Sequence, residues 1–378
     1  MDIESLLSEL DDNIKPIQNP NERIRDDELT NIIQLSLPKI KVLGVGGAGN
    51  NFITALYEYS KTWRTVETIA INTDAGQLSV SKAHRRVLIG KETTKGHGAG
   101  NDPSIGRRAF EESRENIQKL IGDSDLLILC AGLGGGTGSG VTPGIVELTK
   151  EMNLLTISFV TIPFKCEGKV RIKNALDALA MIIRDSTVTI VVPNERLIKL
   201  APRRTIQSAF DLANNLLIQL VRSLADLIEK PGLINVDFAD VRKILSYKGL
   251  ALPGIAEANS NDEKRALTVA EKILNNPLLE VNPAFGKGAL IEIVAGEDLL
   301  LSEAYDIVNR FTTVMGEDKE IIFGLRIDPA FDSKIRVSSL ITGIEVLDEK
   351  NYDLFRFPDG SIVNESIFEE ITDIPLLK

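Results

Sequence analysis

The chain has 378 residues, 43% of them apolar and 26% charged, with a formal net charge of −11. That mixture suits a folded protein of about two domains and is too apolar for a disordered chain. The acid excess disfavours coating of nucleic acid or direct binding to an anionic membrane surface, since both need a surplus of lysine and arginine.

Residues 1–38 read as an acidic, partly helical arm. The first thirty carry nine acids and three bases, and Pro16, Pro20 and Pro38 break the segment. It lacks the apolar core of a signal peptide, and no apolar run in the chain reaches the ~18 residues of a membrane span. From residue 39 strands and helices alternate. Strands are predicted at 41–45, 65–71, 86–89, 126–130, 154–160 and 187–192. Helices are predicted at 51–59, 103–121, from Pro143 onward, and at 167–184. Such alternation predicts a parallel sheet covered on both faces, with ligands at the carboxyl ends of its strands. A long helix follows over 205–229. Ile206, Phe210, Ala213, Leu217, Leu220, Leu224 and Leu227 recur at steps of three and four, and Leu212, Leu216 and Val221 add a second apolar face. A helix apolar on more than one side is buried, and Pro231-Gly232 ends it. Strands near 249–256, 289–294, 321–327 and 334–343, with helices near 262–274 and 302–315, predict a smaller α+β domain with its own sheet. Residues 347–378 form a tail.

The domain reading is therefore an arm (1–38), a nucleotide-binding α/β domain (39–204), a central helix (205–231), an α+β domain (232–346) and a tail (347–378). Cys130 and Cys166 are the only cysteines and His84 and His97 the only histidines. A disulfide framework and a zinc site built on several histidines are thereby excluded, and the cysteine usage fits a reducing cytoplasm.

Two glycine-rich loops carry the chemistry. The first strand runs into Gly44-Val45-Gly46-Gly47-Ala48-Gly49-Asn50-Asn51. Glycine lets a backbone approach a phosphate, and the helix that follows offers its first amides and its dipole to an anion. Alone, this G-x-G-x-x-G is a weak signal shared with dinucleotide-binding proteins. The strand at 126–130 runs into Gly134-Gly135-Gly136-Thr137-Gly138-Ser139-Gly140, with five glycines in seven residues. A structural turn needs one or two, and each further glycine costs ordering entropy. Thr137 and Ser139 offer hydroxyl donors among the bare amides. Two such loops on neighbouring strands suit a triphosphate gripped from two sides. A dinucleotide-dependent oxidoreductase would use Gly44–Gly49 with Asp74 on the ribose, and would leave the second loop unexplained. No G-x-x-x-x-G-K-[ST] is present, so the chain is not a P-loop protein.

The second loop resembles the signature loop of the tubulin/FtsZ family. The first loop is similar to the first nucleotide loop of the FtsZ branch, and Asn72-Thr73-Asp74-Ala75 resembles its second. Gly232-Leu233-Ile234-Asn235-Val236-Asp237-Phe238-Ala239-Asp240 is similar to its far-end catalytic loop. The resemblance covers about residues 39–345 in the family's order, in the FtsZ rather than the eukaryotic tubulin form, with an archaeal cast.

The resemblance implies a GTPase that assembles head to tail into filaments and forms the cell-division ring in the cytoplasm at mid-cell, with GTP or GDP and Mg²⁺ as ligands. It implies that Gly46, Gly47, Ala48, Gly49, Asn50, Asn51, Gly135, Gly136, Thr137 and Gly138 surround the phosphates, with Asp74, Ala99 and Gly100 on adjoining loops. Glu167 would meet the ribose, Arg171 the phosphate end, Phe210 and Asn214 the guanine, and Asn194 would lie near the base. Glu167 and Arg171 are also spaced i,i+4, as a surface ion pair would be. One departure stands out: Gly98-Ala99-Gly100-Asn101-Asp102-Pro103 has Asn101 and Asp102 where the family reads Gly-Asn. Asn tolerates left-handed backbone, and Asp102 either charges the phosphate loop or caps the helix at Pro103.

Asn235, Asp237 and Asp240 lie past the end of the long helix, and Phe210 and Asn214 near its start. From Phe210 to Glu229 a straight helix spans roughly 28 Å. The acids then lie out of reach of their own chain's phosphates, and the resemblance implies that they serve the nucleotide of a neighbouring copy stacked head to tail, a heterologous contact that makes filaments. By resemblance, they would position and polarise the attacking water. In the tail, Ile362, Ile367, Phe368, Ile371 and Ile374 recur at roughly helical spacing, and a membrane-anchoring adaptor protein is the expected partner. A family relative working in cell shape or positioning, or an inactive nucleotide-binding relative, is the alternative reading.

Overall fold

In the computed structural model, residues 37–345 are described, apart from 201, 202, 204, 261, 263 and 276–281. The tail, and the arm up to residue 36, lie outside the described residues.

One ten-stranded sheet organises the chain, in the order β3-β2-β1-β4-β5-β6-β7-β10-β8-β9. The first six strands are β1 (Ile40–Val45), β2 (Val66–Asn72), β3 (Arg85–Leu88), β4 (Leu126–Gly132), β5 (Leu155–Ile162) and β6 (Val188–Pro193), all parallel. Helices connect them: α1 (Gly46–Ser60), α2 (Ala75–Val80), α3 (Lys91–Thr94), α4 (Pro103–Ile121), α5 (Gly136–Glu151) and α6 (Lys169–Asp185). Near-continuous apolar runs such as Leu126–Cys130 are buried because helices cover both faces of a parallel sheet. After α7 (Asn194–Leu200) the long helix α8 (Ile206–Glu229) crosses the molecule and packs on α1, β7 and β10. Its Leu217, Leu220, Val221 and Leu224 are buried, as their spacing predicts.

The second half comprises α9 (Phe238–Leu245), β7 (Gly249–Asn259), α10 (Arg265–Leu274), β8 (Gly288–Ala295), α11 (Leu301–Met315), β9 (Glu320–Ile327) and β10 (Lys334–Ile344). β10 pairs antiparallel with β7 and β8, and β8 pairs parallel with β9. These strands were expected to form a separate sheet. Instead they continue the first one through a short parallel contact of β6 with β7, Val188 with Gly249 and Thr189 with Leu250. Two residue pairs are too little to be visible as a strand pattern in sequence.

Two helices begin earlier than their sequence signals. α1 starts at Gly46 rather than residue 51, and α5 at Gly136 rather than Pro143, which lies inside it. An interior proline costs about 3 kcal/mol, and glycines are poor helix formers. Packing outweighs both, because α5 is buried along most of its length.

Candidate functional site: a cavity over two helix N-termini

β1 and β4 lie side by side, with Ile40 opposite Leu126 and Val45 opposite Ala131. The chain leaves them toward opposite sides of the sheet order, so their carboxyl ends form the switch point at which such sheets bind ligands. There α1 and α5 begin, and a cavity of about 650 Å³ opens above them. That volume suits a ligand of nucleotide size.

The cavity wall brings together Gly47, Ala48, Asn51, Gly135, Gly136, Thr137, Gly138, Glu167, Arg171, Asn194, Phe210 and Asn214, all singled out from sequence. Gln77, Leu133, Thr161, Pro163 and Asp211 also line it. Gln77 was missed in sequence because it lies in α2, beyond the Asn72–Ala75 motif. Asp211 was missed because it shares the apolar helix pattern with its neighbour Phe210. Among the described residues, Arg171 is the only basic side chain in the wall, against the acids Glu167 and Asp211. An anion bound here must therefore be met largely by the first-turn amides of α1 and α5, which have no intrahelical partner.

The glycines divide into two groups. Gly135 caps α5 with ordinary backbone (φ −89°), and a Cβ there would meet nothing within 4 Å. Its bare face is open to the cavity. A Cβ on Gly138 would lie 2.2 Å from the Gly132 carbonyl, and one on Gly49 2.4 Å from the Cys130 carbonyl. A Cβ on Gly136 would meet Ala99 at 2.8 Å. These residues lack side chains so that the two helices can sit directly on β4 and on the loop before α4. The glycine run thus reflects backbone packing as much as approach to a ligand.

The hydroxyls also divide. Ser139 is buried and accepts from the Gly134 amide at 2.7 Å, so it stiffens the loop from within. The Thr137 hydroxyl lies 2.7 Å from that of Thr73, joining the second loop to the segment after β2. Asn50 is buried too. With its amide nitrogen toward the Gly44 (2.9 Å) and Ile71 (3.2 Å) carbonyls, its oxygen accepts from Asn72 at 3.1 Å. It ties β1 to β2 beneath the cavity. Gly46, Gly49 and Asn50 lie below the cavity surface, and Asp74, Ala99 and Gly100 stand on adjoining loops. Asp74 caps α2 by accepting from the Gln77 amide at 2.9 Å.

At the departure from the family pattern, Asn101 has φ +65°, the left-handed turn that Asn tolerates. Asp102 caps α4, accepting from the Ser104 amide at 2.8 Å. Hydrogen bonds from Ser104 hold its carboxyl below the usual carboxylate range.

At the opposite wall, Arg171 Nη1 meets Glu167 at 2.9 Å, and Glu167 accepts from the Phe164 amide at 2.8 Å. Arg171 Nε and Asn194 Oδ1 are buried without a hydrogen-bond partner, and both residues face the cavity. A buried unpaired polar atom is costly. A purine edge presenting N–H donors would satisfy the Asn194 acceptor. Phe210 presents an exposed ring 6.1 Å from that of Phe164, a surface for a planar base to stack on.

The acidic loop lies elsewhere. Asn235 accepts from the Gly232 amide at 2.8 Å. Asp237 and Asp240 cap the start of α9 reciprocally, Asp240 N to Asp237 at 2.9 Å and Asp237 N to Asp240 at 3.1 Å. Each carboxylate uses one oxygen in this pair. All three residues stand beyond the far end of α8, whose 24 residues span about 36 Å. None of them lines the cavity.

Residues 39–202 match the GTPase domain model of the tubulin/FtsZ family, and residues 249–345 match the FtsZ family C-terminal domain. The chain belongs to the FtsZ family. Cell division protein FtsZ 1 of Pyrococcus horikoshii is 43% identical over 331 residues, covering 88% of this chain and 87% of that protein. The FtsZ 1 of Methanocaldococcus jannaschii is 42% identical, covering 93% of both. The solved FtsZ dimer of M. jannaschii superposes with a TM-score of 0.77 at 42% identity, covering 88% of this chain and 95% of that one. A CetZ2 from Haloferax volcanii shares the fold (TM-score 0.72) at 21% identity. Like its FtsZ relatives, the chain is a GTPase, and the cavity over α1 and α5 is walled by its GTPase domain and by the start of α8. Among the described residues, no helix is long and apolar enough to cross a membrane.

Proposed function

We propose that the chain is a cell-division GTPase whose active site is completed between two copies stacked head to tail. The observation that carries this reading is the separation of its two halves by the length of α8. The cavity can hold a nucleotide, yet the acids of the 232–240 loop cannot reach it in the same chain. In this reading the phosphates lie on the amides of Gly47–Asn51 and Gly135–Gly138. Arg171 is at the phosphate end and Glu167 at the ribose, with Phe210, Asn214 and Asn194 around guanine. Asp74, Ala99 and Gly100 brace the phosphate loops. Asn235, Asp237 and Asp240 of the next copy orient the attacking water, and positioning and electrostatics supply the acceleration. No cluster of three or more metal-ligating side chains is found among the described residues. Mg²⁺ would therefore be held chiefly by phosphate oxygens and water, its usual preference, and would neutralise phosphate charge. The division into a GTP-binding domain (39–204), a central helix (205–231) and a C-terminal domain (232–346) belongs to the same reading.

Because the site is shared, GTP turnover per molecule should rise with protein concentration above a threshold that coincides with filament formation. Turnover that stays flat across that threshold would refute the shared site. The 43% identity to a protein named cell division protein FtsZ 1 favours a role in division. The working place would be the cytoplasmic mid-cell ring, reached through a membrane-anchored adaptor that binds the tail. Deleting residues 360–378 should abolish ring localisation while leaving GTP turnover intact, and loss of turnover instead would count against the tether.

A further inference from the structure

The acidic loop has no regular structure between the end of α8 and the start of α9, so its position depends on what it is fastened to. One fastening is to β9. Ile234 and Leu325 exchange backbone hydrogen bonds, at 3.2 and 3.0 Å. Gly232 lies so close to β9 that a Cβ would come within 2.5 Å of the Leu325 carbonyl.

The next residue on β9, Arg326, reaches the other side of the loop's root. Its guanidinium meets Asp226 in the last turns of α8 at 3.3 Å and Asp328 at 2.6 Å. The Asp226 side chain is 1% exposed, and its second oxygen lies 2.9 Å from Lys230 Nζ, an ion-pair distance without hydrogen-bond geometry. Neighbouring residues of one strand thus hold the loop by its backbone and the helix end by a buried ion pair. From the opposite side, Glu229 accepts from the Thr65 amide at 2.7 Å and its hydroxyl at 2.5 Å, anchoring the same helix end at the start of β2. Asp226, Arg326, Gly232 and Asn235 line one small crevice beneath the loop, together with the buried Glu292.

We propose that Arg326 is a positioning residue for GTP hydrolysis, acting through Asp226 to fix where the acidic loop stands at the end of α8. This rests on the reading that the loop completes the neighbour's site. A carboxylate as buried as Asp226 is strongly penalised when it loses a cation. Lys230 is half exposed, and Arg222 stands off at 3.7 Å. Without Arg326 the helix end relaxes toward solvent and carries the loop root with it. A misplacement of about an ångström is enough to cost a catalytic group on the order of 100-fold in rate. The chain's own nucleotide cavity lies at the other end of α8 and stays as it was.

The test uses the full chain. Arg326→Met should bind GTP as wild type does and still form filaments, while turnover per assembled subunit at saturating GTP falls at least about tenfold. Arg326→Lys should recover part of that loss. Gly232→Ala disturbs the other fastening without touching the ion pair, and should give the same phenotype. It carries the test if thermal unfolding shows that Arg326→Met does not fold. Mixing then separates the two levels of inference. Asp240→Ala mixed with Arg171→Ala should recover turnover if the site is shared, and Arg326→Met mixed with Arg171→Ala should recover it likewise. Recovery in the first mixture alone would overturn the role of Arg326. Recovery in neither would overturn the shared site and this inference with it. Wild-type turnover in both Arg326→Met and Gly232→Ala would overturn the positioning role directly.

Discussion

Gly135→Ala and Gly138→Ala, three residues apart in one loop, should fail in opposite ways. At Gly138 the added Cβ would sit 2.2 Å from the Gly132 carbonyl, about an ångström inside van der Waals contact. The Cβ is fixed by the α5 backbone and the carbonyl by the β4 backbone, so no side-chain rotation can relieve the clash. Overpacking of this kind costs about 1–3 kcal/mol, and a clash between two backbones belongs at the upper end. Better helix propensity returns less than about 1 kcal/mol, leaving a net loss of about 2 kcal/mol. For a domain of this size that lowers the melting temperature by roughly 4–8 °C. At Gly135 the backbone is already in a region open to alanine, and the Cβ meets nothing within 4 Å. Weaker capping costs about 1 kcal/mol or less, but the methyl group projects into the cavity. Gly135→Ala should therefore melt close to wild type and lose at least about tenfold in GTP affinity, or 1.4 kcal/mol. Thermal unfolding without nucleotide and GTP titration on the same preparations decide the matter. If Gly138→Ala melts with wild type, or Gly135→Ala binds GTP undiminished, the division of the glycines into packing and ligand-facing groups is wrong.

In an equal mixture of Asp240→Ala and Arg171→Ala, random head-to-tail stacking leaves about a quarter of interfaces with an intact pocket facing an intact loop. Turnover should approach that fraction of wild type, and a co-assembled mixture no faster than its parts would refute it. Glu292 offers a pH test. Burial first, and then the nearby charge of Asp226, push its carboxyl up to about 7 from an ordinary 4.5, against the opposing pull of Arg336 and Arg326. The folded chain therefore holds a proton that the unfolded chain releases between those values. The stability associated with Glu292 is present below about pH 4.5 and is lost as pH rises through 7, by on the order of 1–3 kcal/mol. Glu292→Gln should lack this decline in denaturant unfolding between pH 5 and 8, and parallel pH profiles for the two proteins would rule it out.

Most of the cavity was legible because its residues sit in motifs contiguous in sequence. Gly135–Gly138, Gly47–Asn51 and the Glu167/Arg171 pair follow within a few residues of strand ends, and a strand followed by glycines and a helix already implies an anion site. What each residue does inside the motif was less legible. Ser139 reads as a donor to a ligand, yet it is buried outside the cavity wall and accepts from the Gly134 amide. Asn50 reads as part of a phosphate loop, yet it joins β1 to β2. Asp102 left two readings open, and the Ser104 amide decides for the cap.

The sequence by itself determined the alternation of strands and helices, the two glycine loops, the buried central helix and the placement of the acidic loop beyond its end. These depend on periodicity and on residues close together along the chain, where backbone geometry leaves few choices. Only the tertiary structure decided that α5 runs through Pro143, that β6 and β7 join two sheets into one, and that Leu325 and Arg326 hold the acidic loop to α8. Each of these is a balance between a local cost and contacts with segments distant in sequence. Pro143 is disfavoured locally but lies in a buried helix, and Arg326 is unremarkable in its strand until Asp226, 100 residues away, is brought beside it. Local pattern carries no information about such partners, because their pairing is set by how the whole chain packs.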